Sequence, residues 1–159
     1  MKIIVFSDSH GTADNMLKAV AKEDPDMLIH LGDGEPDLRA VADRYPELPI
    51  RNVRGNCDIY SSAPSEITFS VEGIRFFITH GNLYSVKDTE PSDLIMAAAL
   101  ENDADVVLHG HRHIPYIEKT LGTIFMDPGT CQRCSHATYG IIEIRNGRIE
   151  PDYCAIVHI

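Results

Sequence analysis

The chain has 159 residues, of which 43% are hydrophobic, and a formal net charge of −10 at pH 7. This length predicts a single domain spanning residues 1–159, large enough to fold without a disulfide or a structural metal. No apolar run approaches the roughly 20 residues of a membrane-spanning helix. The acidic balance disfavours nonspecific binding to nucleic acid or to a membrane. The first residues are typical of a buried strand rather than of a signal peptide, which predicts a cytoplasmic protein.

The first third of the chain predicts a β-α-β-α-β order. Residues 2–6 are rich in Ile and Val and alternate little, as in a strand that is covered on both faces. Thr12 can cap a helix that runs to about Glu23, and Pro36 suits the first turn of a second helix that runs to about Arg44. The remaining strands of this part are predicted at residues 27–30 and 50–53.

The rest of the chain predicts mostly strands. A helix is expected at 92–100, and strands are expected at 66–71, 74–79, 105–108, 116–119, 123–126 and 139–144. Glu72-Gly73 and Asn146-Gly147 are typical hairpin turns, the second leading into a returning strand over 148–156. The pattern predicts an α/β (α+β) fold in which two mixed sheets pack face to face, with helices on the outer faces.

Five short clusters of potential metal ligands each follow a predicted strand. They are Asp8-Ser9-His10, Gly32-Asp33, Gly55-Asn56-Cys57-Asp58, His80-Gly81 and Gly110-His111-Arg112-His113. Open α/β sheets place their sites at the carboxyl ends of strands, so we expect the clusters to meet at one edge. Each is weak alone, since Asp8 could cap a helix and Asp33 could be an ordinary turn residue. Together they predict a site for two metal ions.

The donor types indicate which ions this site would take. The Asp33 carboxylate has two oxygens and could bridge two cations about 3.5–4 Å apart. Mixed Asp, Asn and His ligands suit manganese, iron, nickel or zinc better than magnesium or calcium. We therefore expect two divalent transition-metal ions, with manganese the first choice. Two such ions could activate a bound water as a nucleophile.

The order and spacing of these motifs resemble the calcineurin-like metallophosphoesterases over residues 1 to about 145. The Cys in Gly55-Asn56-Cys57-Asp58 and the small size are similar to the YfcE-type phosphodiesterase branch. The resemblance implies a four-layer α-β-β-α sandwich. It also implies a first metal on Asp8, His10 and His113, a bridging Asp33, and a second metal on Asn56, His80 and His111.

The resemblance also implies Asn56, Cys57, Asp58 and His80 as candidate catalytic residues. Many members have His at the position of Cys57, and that His stabilises transition-state charge or protonates the leaving group. We interpret Cys57 as a residue beside the metals rather than a nucleophile, and Asp58 as a residue that orients its loop or a neighbouring group. Arg112 could contact a phosphate or make a structural ion pair.

Other positions are less informative. Asn82 stands where a second His is common in the family, and Asp127 stands where Asn is common. The pocket walls are predicted at residues 60–65, 82–89 and 131–136, with Tyr60, Tyr84 and Lys87 as contacts for a base or phosphate. Cys131 and Cys134 have CxxC spacing without a second pair, so reduced thiols are a simpler interpretation than a zinc or redox site.

Together these features predict a metal-dependent phosphoesterase, most specifically a phosphodiesterase acting on a small phosphodiester. A phosphomonoesterase or nucleotidase and a Vps29-like non-catalytic protein-binding scaffold remain alternatives. The intact set of His10, His80, His111 and His113 argues against the scaffold. A nuclease is disfavoured by the acidic balance and the lack of a basic stripe. We expect a small-molecule phosphate ester as partner and no membrane partner, and a homodimer or higher homo-oligomer stays open.

Overall fold

A computed structural model describes residues 1–86 and 91–159. The elements in chain order are β1 (Lys2–Phe6), α1 (Asp14–Glu23), β2 (Met27–His30), α2 (Glu35–Arg44), β3 (Ile50–Asn52), β4 (Glu66–Val71), β5 (Ile74–Thr79), α3 (Asp93–Glu101), β6 (Val106–Leu108), β7 (Tyr116–Thr120), β8 (Thr123–Asp127), β9 (Thr138–Glu143) and β10 (Cys154–His158). A short 3₁₀ helix, Pro151–Tyr153, precedes β10. Within the described ranges, no helix is long and apolar enough to cross a membrane.

The strands form two mixed five-stranded sheets. The first sheet has the order β10-β9-β1-β2-β3 and the second has the order β4-β5-β6-β8-β7. β1, β2 and β3 are parallel in the first sheet, and β5, β6 and β8 are parallel in the second. The remaining pairs are antiparallel: β10 with β9 and β9 with β1 in the first sheet, and β4 with β5 and β7 with β8 in the second. Each sheet therefore collects the carboxyl ends of three neighbouring strands at one edge, as ligand sites in open sheets require.

β1 shows how the layers arise from the sequence. Ile3 and Val5 pack into the apolar core between the two sheets, whereas Ile4 and Phe6 pack beneath α1 and α2 on the other face. A strand that is buried on both faces has no polar alternation, which is the pattern of residues 2–6. α3 covers the second sheet through Ile95. The structure therefore confirms the predicted α-β-β-α sandwich of two packed mixed sheets.

Two local predictions were wrong. Thr12 does not cap α1, since the helix begins at Asp14 after Ala13, and no side chain makes the cap hydrogen bond. The strand predicted over 148–156 begins only at Cys154, because the preceding segment turns as the 3₁₀ helix. Pro151 lacks an N–H and cannot donate to a sheet ladder, which explains the later start.

The hairpin turn at Asn146-Gly147 is confirmed. Asn146 has a φ of 54° and Gly147 has a φ of 68°, both left-handed as a type I′ turn requires. Arg145 and Arg148 pair across this turn. The turn is therefore short and local, and the sheet pairing resumes further along the chain.

The core between the sheets predicts a stability difference between two leucines. Leu108 is fully buried in that core, whereas Leu100 on α3 is 70% exposed. We expect Leu108→Ala to lower the free energy of unfolding by roughly 3 kcal/mol, because it removes apolar contacts and leaves a cavity. Leu100→Ala should change it by less than about 0.5 kcal/mol. Urea denaturation of both variants checks this, and equal losses would contradict the assignment of the core.

Candidate metal centre

All five sequence clusters lie just beyond the carboxyl ends of β1, β2, β3, β5 and β6. Their side chains meet between the two sheets. Three groups of side chains each have potential ligand atoms within 4.8 Å of one another: Asp8 with His10 and His113, Asp8 with Asp33 and His80, and His10 with Asp33 and Cys57. Asp8, His10 and Asp33 each belong to two groups, so the groups form one continuous cluster.

Five of the predicted ligands have left-handed backbone conformations. The φ angles are 56° for Asp8, 44° for His10, 58° for Asp33, 75° for His111 and 61° for His113. A residue with a Cβ adopts this conformation at a cost of about 1–2 kcal/mol. Such conformations persist only where the surrounding structure fixes them, and they concentrate at functional sites. The loops are therefore held in unfavourable backbone conformations that direct these side chains toward the site.

Asp8 is the centre of the first group. Its Oδ1 lies 3.1 Å from His113 Nε2 and 3.6 Å from His10 Nε2, and the two Nε2 atoms are 3.3 Å apart. Its Oδ2 accepts hydrogen bonds from the Ser7 hydroxyl at 2.5 Å and the His111 amide at 3.0 Å. One oxygen is thus fixed by the protein, while the other faces two imidazoles.

The two carboxylate oxygens of Asp33 also have different contacts. Oδ1 accepts a hydrogen bond from the Cys57 amide at 2.7 Å, and Oδ2 lies 3.4 Å from His80 Nε2. His80 Nδ1 donates to the Leu31 carbonyl at 2.8 Å, so a neutral His80 would carry its lone pair on Nε2. Burial acts to lower the pKa of His80, but Asp33 and Asp8 outweigh it and raise that pKa. That Nε2 atom is buried and has no hydrogen-bond partner among the residues that the structure describes. A buried imidazole nitrogen in this state suits a metal ion.

The buried carboxylates are held in their charged form. Burial alone would raise the pKa of Asp8, but the hydrogen bond with His113, together with His80, outweighs it and lowers the pKa. Burial also acts to raise the pKa of Asp33, and the stronger effect of His80 and the Cys57 amide places that pKa well below its usual range. Asp8 in turn raises the pKa of His113. The site therefore offers anionic oxygens at neutral pH, as divalent cations require.

The two remaining predicted ligands lie at the same edge. The His111 ring packs against the His80 ring with centroids 5.0 Å apart. Asn56 is exposed, and its Nδ2 donates to Cys57 Sγ at 3.3 Å, so its carbonyl oxygen stays accessible. The donor set of two carboxylates, four imidazoles and one amide oxygen fits divalent transition-metal ions.

The Asp58 carboxylate is held by hydrogen bonds from backbone amides. Its carboxylate accepts four backbone hydrogen bonds, from Asp33 at 2.7 Å, Gly34 at 3.0 Å, Glu35 at 3.1 Å and Gly55 at 2.9 Å. Two of these donors are Gly34, the N-cap of α2, which has no side chain, and Glu35, the first residue of the helix. Asp58 thus caps α2 from a distant loop and ties that loop to the turn that carries Asp33.

Glycine allows the loops after β2 and β3 to approach each other. A Cβ on Gly32 would lie 2.4 Å from the Gly55 nitrogen, and a Cβ on Gly55 would lie 2.0 Å from Asp33 Oδ1. Real Cβ atoms do not come so close. The glycines of the Gly32-Asp33 and Gly55-Asn56 motifs are therefore required by backbone contact beside the metal centre.

Cys57 has an exposed thiol beside Asp33. A hydrogen bond with the Asp33 carboxylate, with burial as a smaller contribution, raises the pKa of Cys57 to about 11. At neutral pH the thiol is therefore protonated, and a protonated thiol is a poor nucleophile. This supports the interpretation of Cys57 as a residue beside the metals.

Sequence reasoning missed several residues that hold the site. Asp37, on α2, accepts hydrogen bonds from the Ser9 hydroxyl at 2.5 Å and the Gly11 amide at 2.9 Å, which fixes the loop around His10. His109 is buried next to the His111 loop, and its Nε2 lies 2.7 Å from the Tyr116 hydroxyl. No local sequence pattern indicates either contact.

The residues that were predicted to line the pocket have different positions in the structure. Lys87 and the other residues of 87–89 lie outside the described part of the chain. The Tyr84 hydroxyl already has a partner, since it donates a hydrogen bond to the Glu66 carboxylate at 2.5 Å. Tyr60 is fully exposed and lines a cavity of about 280 Å³ beside Cys57. Arg112 lies next to another surface cavity, with His111 and His113, and its role stays a prediction.

Two further sequence features have structural explanations. Cys131 is buried, Cys134 is half-buried and both are free thiols, with burial raising the pKa of Cys131. This agrees with reduced thiols rather than a reactive pair. Asp127 Oδ1 accepts a hydrogen bond from the Gly129 amide at 2.8 Å and so forms the turn expected at that position.

Comparison with known proteins agrees with this geometry. Residues 1–147 match the model of the calcineurin-like phosphoesterase superfamily domain. The probable metallophosphoesterase YsnB of Bacillus subtilis is 33% identical over 134 residues, which are 82% of this chain and 75% of YsnB. Phosphodiesterase YfcE of Escherichia coli K12 is 29% identical over 171 residues, covering 90% of this chain and 88% of YfcE.

A more distantly related structure has the same fold. The crystal structure of Vps29 complexed with Zn²⁺, from Entamoeba histolytica, superposes with a TM-score of 0.75 at 15% identity, covering 99% of each chain. This likeness concerns the fold alone. The match over residues 1–147 and the similarity to YsnB, together with the converging strand-end clusters, establish that the chain belongs to the calcineurin-like phosphoesterase superfamily.

Proposed function

We propose that the protein is a metal-dependent phosphodiesterase that hydrolyses a small phosphodiester at a dinuclear centre. The observation that carries the proposal is the convergence of Asp8, Asp33 and His80 at the strand ends, with ligand atoms within 4.8 Å of one another. Membership of the superfamily supports phosphoester hydrolysis. The similarity to a protein named phosphodiesterase YfcE favours a diester over a monoester.

The side chains suggest a role for each ligand. Asp8, His10 and His113 would hold the first ion, Asn56, His80 and His111 would hold the second, and Asp33 would contact both. When bound, two divalent ions would supply an activated hydroxide and stabilise the charge that develops on the phosphoryl oxygens. The protein orients the donors through hydrogen bonds on their far sides, as the Leu31 carbonyl does for His80.

The metal preference follows from the donor set. Imidazole-rich sites with carboxylates suit manganese, iron, nickel and zinc, and we propose manganese as the working ion. The Vps29 structure is described as a zinc complex, so the fold tolerates zinc.

Cys57 suggests a limit on the chemistry. A thiol with a pKa of about 11 can donate a proton, but it is a weak acid beside the imidazolium that many relatives carry at this position. We therefore propose that leaving groups which need little protonation, such as aryl alcohols, are hydrolysed best. His80 and Asn56 act on the reaction through the metal in this proposal, whereas Asp58 is a positioning residue.

A protein-binding scaffold is the second candidate, favoured by the structural likeness to Vps29. That likeness, at 15% identity, does not extend to function. The buried His80 Nε2, which faces Asp33 Oδ2 at 3.4 Å without a hydrogen bond, argues for the enzyme, since a scaffold gains nothing from this arrangement. A phosphomonoesterase or nucleotidase would use the same centre and differs only in substrate.

We also propose a single domain over residues 1–159, a cytoplasmic location, a small-molecule phosphate ester as partner rather than nucleic acid, and a homodimer or higher homo-oligomer.

Metal content separates the two candidate functions. Reconstitution with Mn²⁺ followed by gel filtration and elemental mass spectrometry should give about two ions per chain. The exposed Asp43→Asn variant serves as the control and should bind the same amount. Less than about one ion per chain under these conditions would favour the scaffold.

The bridging role predicts a loss of activity in Asp33→Asn. Because an amide cannot offer two anionic oxygens to two ions, we expect kcat/KM for bis(4-nitrophenyl) phosphate with Mn²⁺ to fall by more than about 100-fold, the upper range for outer partners of a metal ligand. Asp43→Asn should match the wild type. Equal activity of Asp33→Asn and the wild type would exclude the proposed centre.

The backbone contacts of Asp58 predict a combined effect on stability and metal affinity. Asp58→Ala leaves the cap of α2 and the Asp33 amide without an acceptor, so we expect a loss of about 2 kcal/mol in the free energy of unfolding. Because the Asp33 turn would also relax, Mn²⁺ affinity measured by calorimetry should fall about 10- to 100-fold. Asp43→Ala is the control. A stability loss with unchanged Mn²⁺ affinity would show that Asp58 does not position Asp33.

A further inference from the structure

A cavity of about 310 Å³ opens beside the metal centre. This volume is at the lower end of the range typical of small-molecule sites, roughly 300–1,000 Å³. The cavity reaches the centre through Asn56, one of the proposed ligands. Its walls are Arg54, Gly55, Asn56, Asp58, Ile59, Ser65, Asn82 and Leu83. A phosphodiester bound at the metals would therefore extend one of its two organic arms toward this cavity.

Arg54 supplies the cationic wall of this cavity. Its backbone is fixed, since the Arg54 amide donates to the Pro64 carbonyl at 2.9 Å. Its side chain is exposed, and in residues 1–86 and 91–159 its guanidinium makes no hydrogen bond or ion pair. Asp58, on the same wall, has both carboxylate oxygens occupied by backbone amides. The guanidinium is therefore available to a ligand.

Several arginines of this acidic chain, which has 24 acidic and 14 basic residues, are already paired with a carboxylate. Arg39 lies 3.0 Å from Glu35, Arg133 lies 3.3 Å from Asp14 and Arg145 lies 2.6 Å from Glu143. Arg54 lies beside the site of the proposed reaction, where an anionic substrate would come close to it.

The other walls suit an uncharged group. Ile59 is 79% exposed and Leu83 is 61% exposed, and both are large apolar side chains at the cavity. Asn82 adds a polar side chain. Apolar surfaces next to a few polar groups are typical of sites that hold the organic part of a ligand. A sugar or base between the apolar walls would direct any terminal group toward Arg54.

We infer that this cavity binds a second phosphate of the substrate, so that the preferred substrate class is a small phosphodiester with an additional phosphate on one organic arm. Arginine matches this group because its planar guanidinium donates two parallel hydrogen bonds to a phosphate. The inference rests on the proposed function, since it assigns a subsite to the same reaction. Arg54 would be a specificity-determining residue and takes no part in the bond changes at phosphorus.

A pair of chromogenic substrates tests this subsite. Thymidine 5′-(4-nitrophenyl phosphate) and the same ester with a 3′-phosphate differ only in the second phosphate and release the same leaving group. With the Mn²⁺-loaded wild type, we expect kcat/KM to be roughly tenfold higher for the 3′-phosphorylated ester, because a charge-assisted hydrogen bond contributes about that much. In Arg54→Gln this ratio should fall to about one, and in Arg54→Lys it should be intermediate.

The controls distinguish a specific subsite from general charge. Arg39→Gln removes a neighbouring arginine that already pairs with Glu35, and it should keep the wild-type ratio. A ratio near one in the wild type, or an equal drop in Arg39→Gln and Arg54→Gln, overturns the inference while the proposed function stands. Failure of the wild type to cleave either ester contradicts the proposed function, and the subsite falls with it. Thermal melting of each variant confirms that it is folded.

Discussion

The burial of two carboxylates between the sheets is the constraint on which the site depends. Asp8 is fully buried and Asp33 is 4% exposed, and burying an unpaired charge is costly. Each carboxylate offsets this cost by giving one oxygen to the protein and the other to histidine. Oxygens that face imidazoles at 3.1–3.6 Å form a site that a divalent cation would complete. The two buried carboxylates thus stay charged and could serve as ligands of a divalent cation.

The same constraint explains the unusual backbone of the loops. Left-handed conformations at Asp8, Asp33 and His113 cost about 1–2 kcal/mol each, which surrounding contacts must offset. Hydrogen bonds to Asp37 and Asp58 hold the loops of Asp8 and Asp33, and the His111 amide ties the loop of His113 to Asp8. These hydrogen bonds within the protein would limit the ordering entropy that metal binding costs.

The sequence predicted the sheets and the ligand clusters because both follow local rules. Apolar runs such as residues 2–6 identify buried strands, and the clusters follow them directly. The Asp58 contacts could not be predicted in the same way, since they join amides up to 25 residues away through a turn that only the fold brings together. The incorrect cap at Thr12 has a similar origin. A residue of the right type is a candidate for a cap, but the path of the loop decides whether the helix begins there.

Charge complementarity connects the metal centre to the choice of substrate. The acidic chain would repel an anionic ester at long range, yet two divalent ions would add four positive charges at the strand ends. Arg54 would extend this positive region along one side of the centre, beside Ile59 and Leu83. A substrate with a single phosphate would use the metals alone, whereas a second phosphate would also fix the orientation of the organic arm. Cys57, as a neutral thiol, would add no charge to this path, so selectivity would depend on the arginine rather than on the thiol.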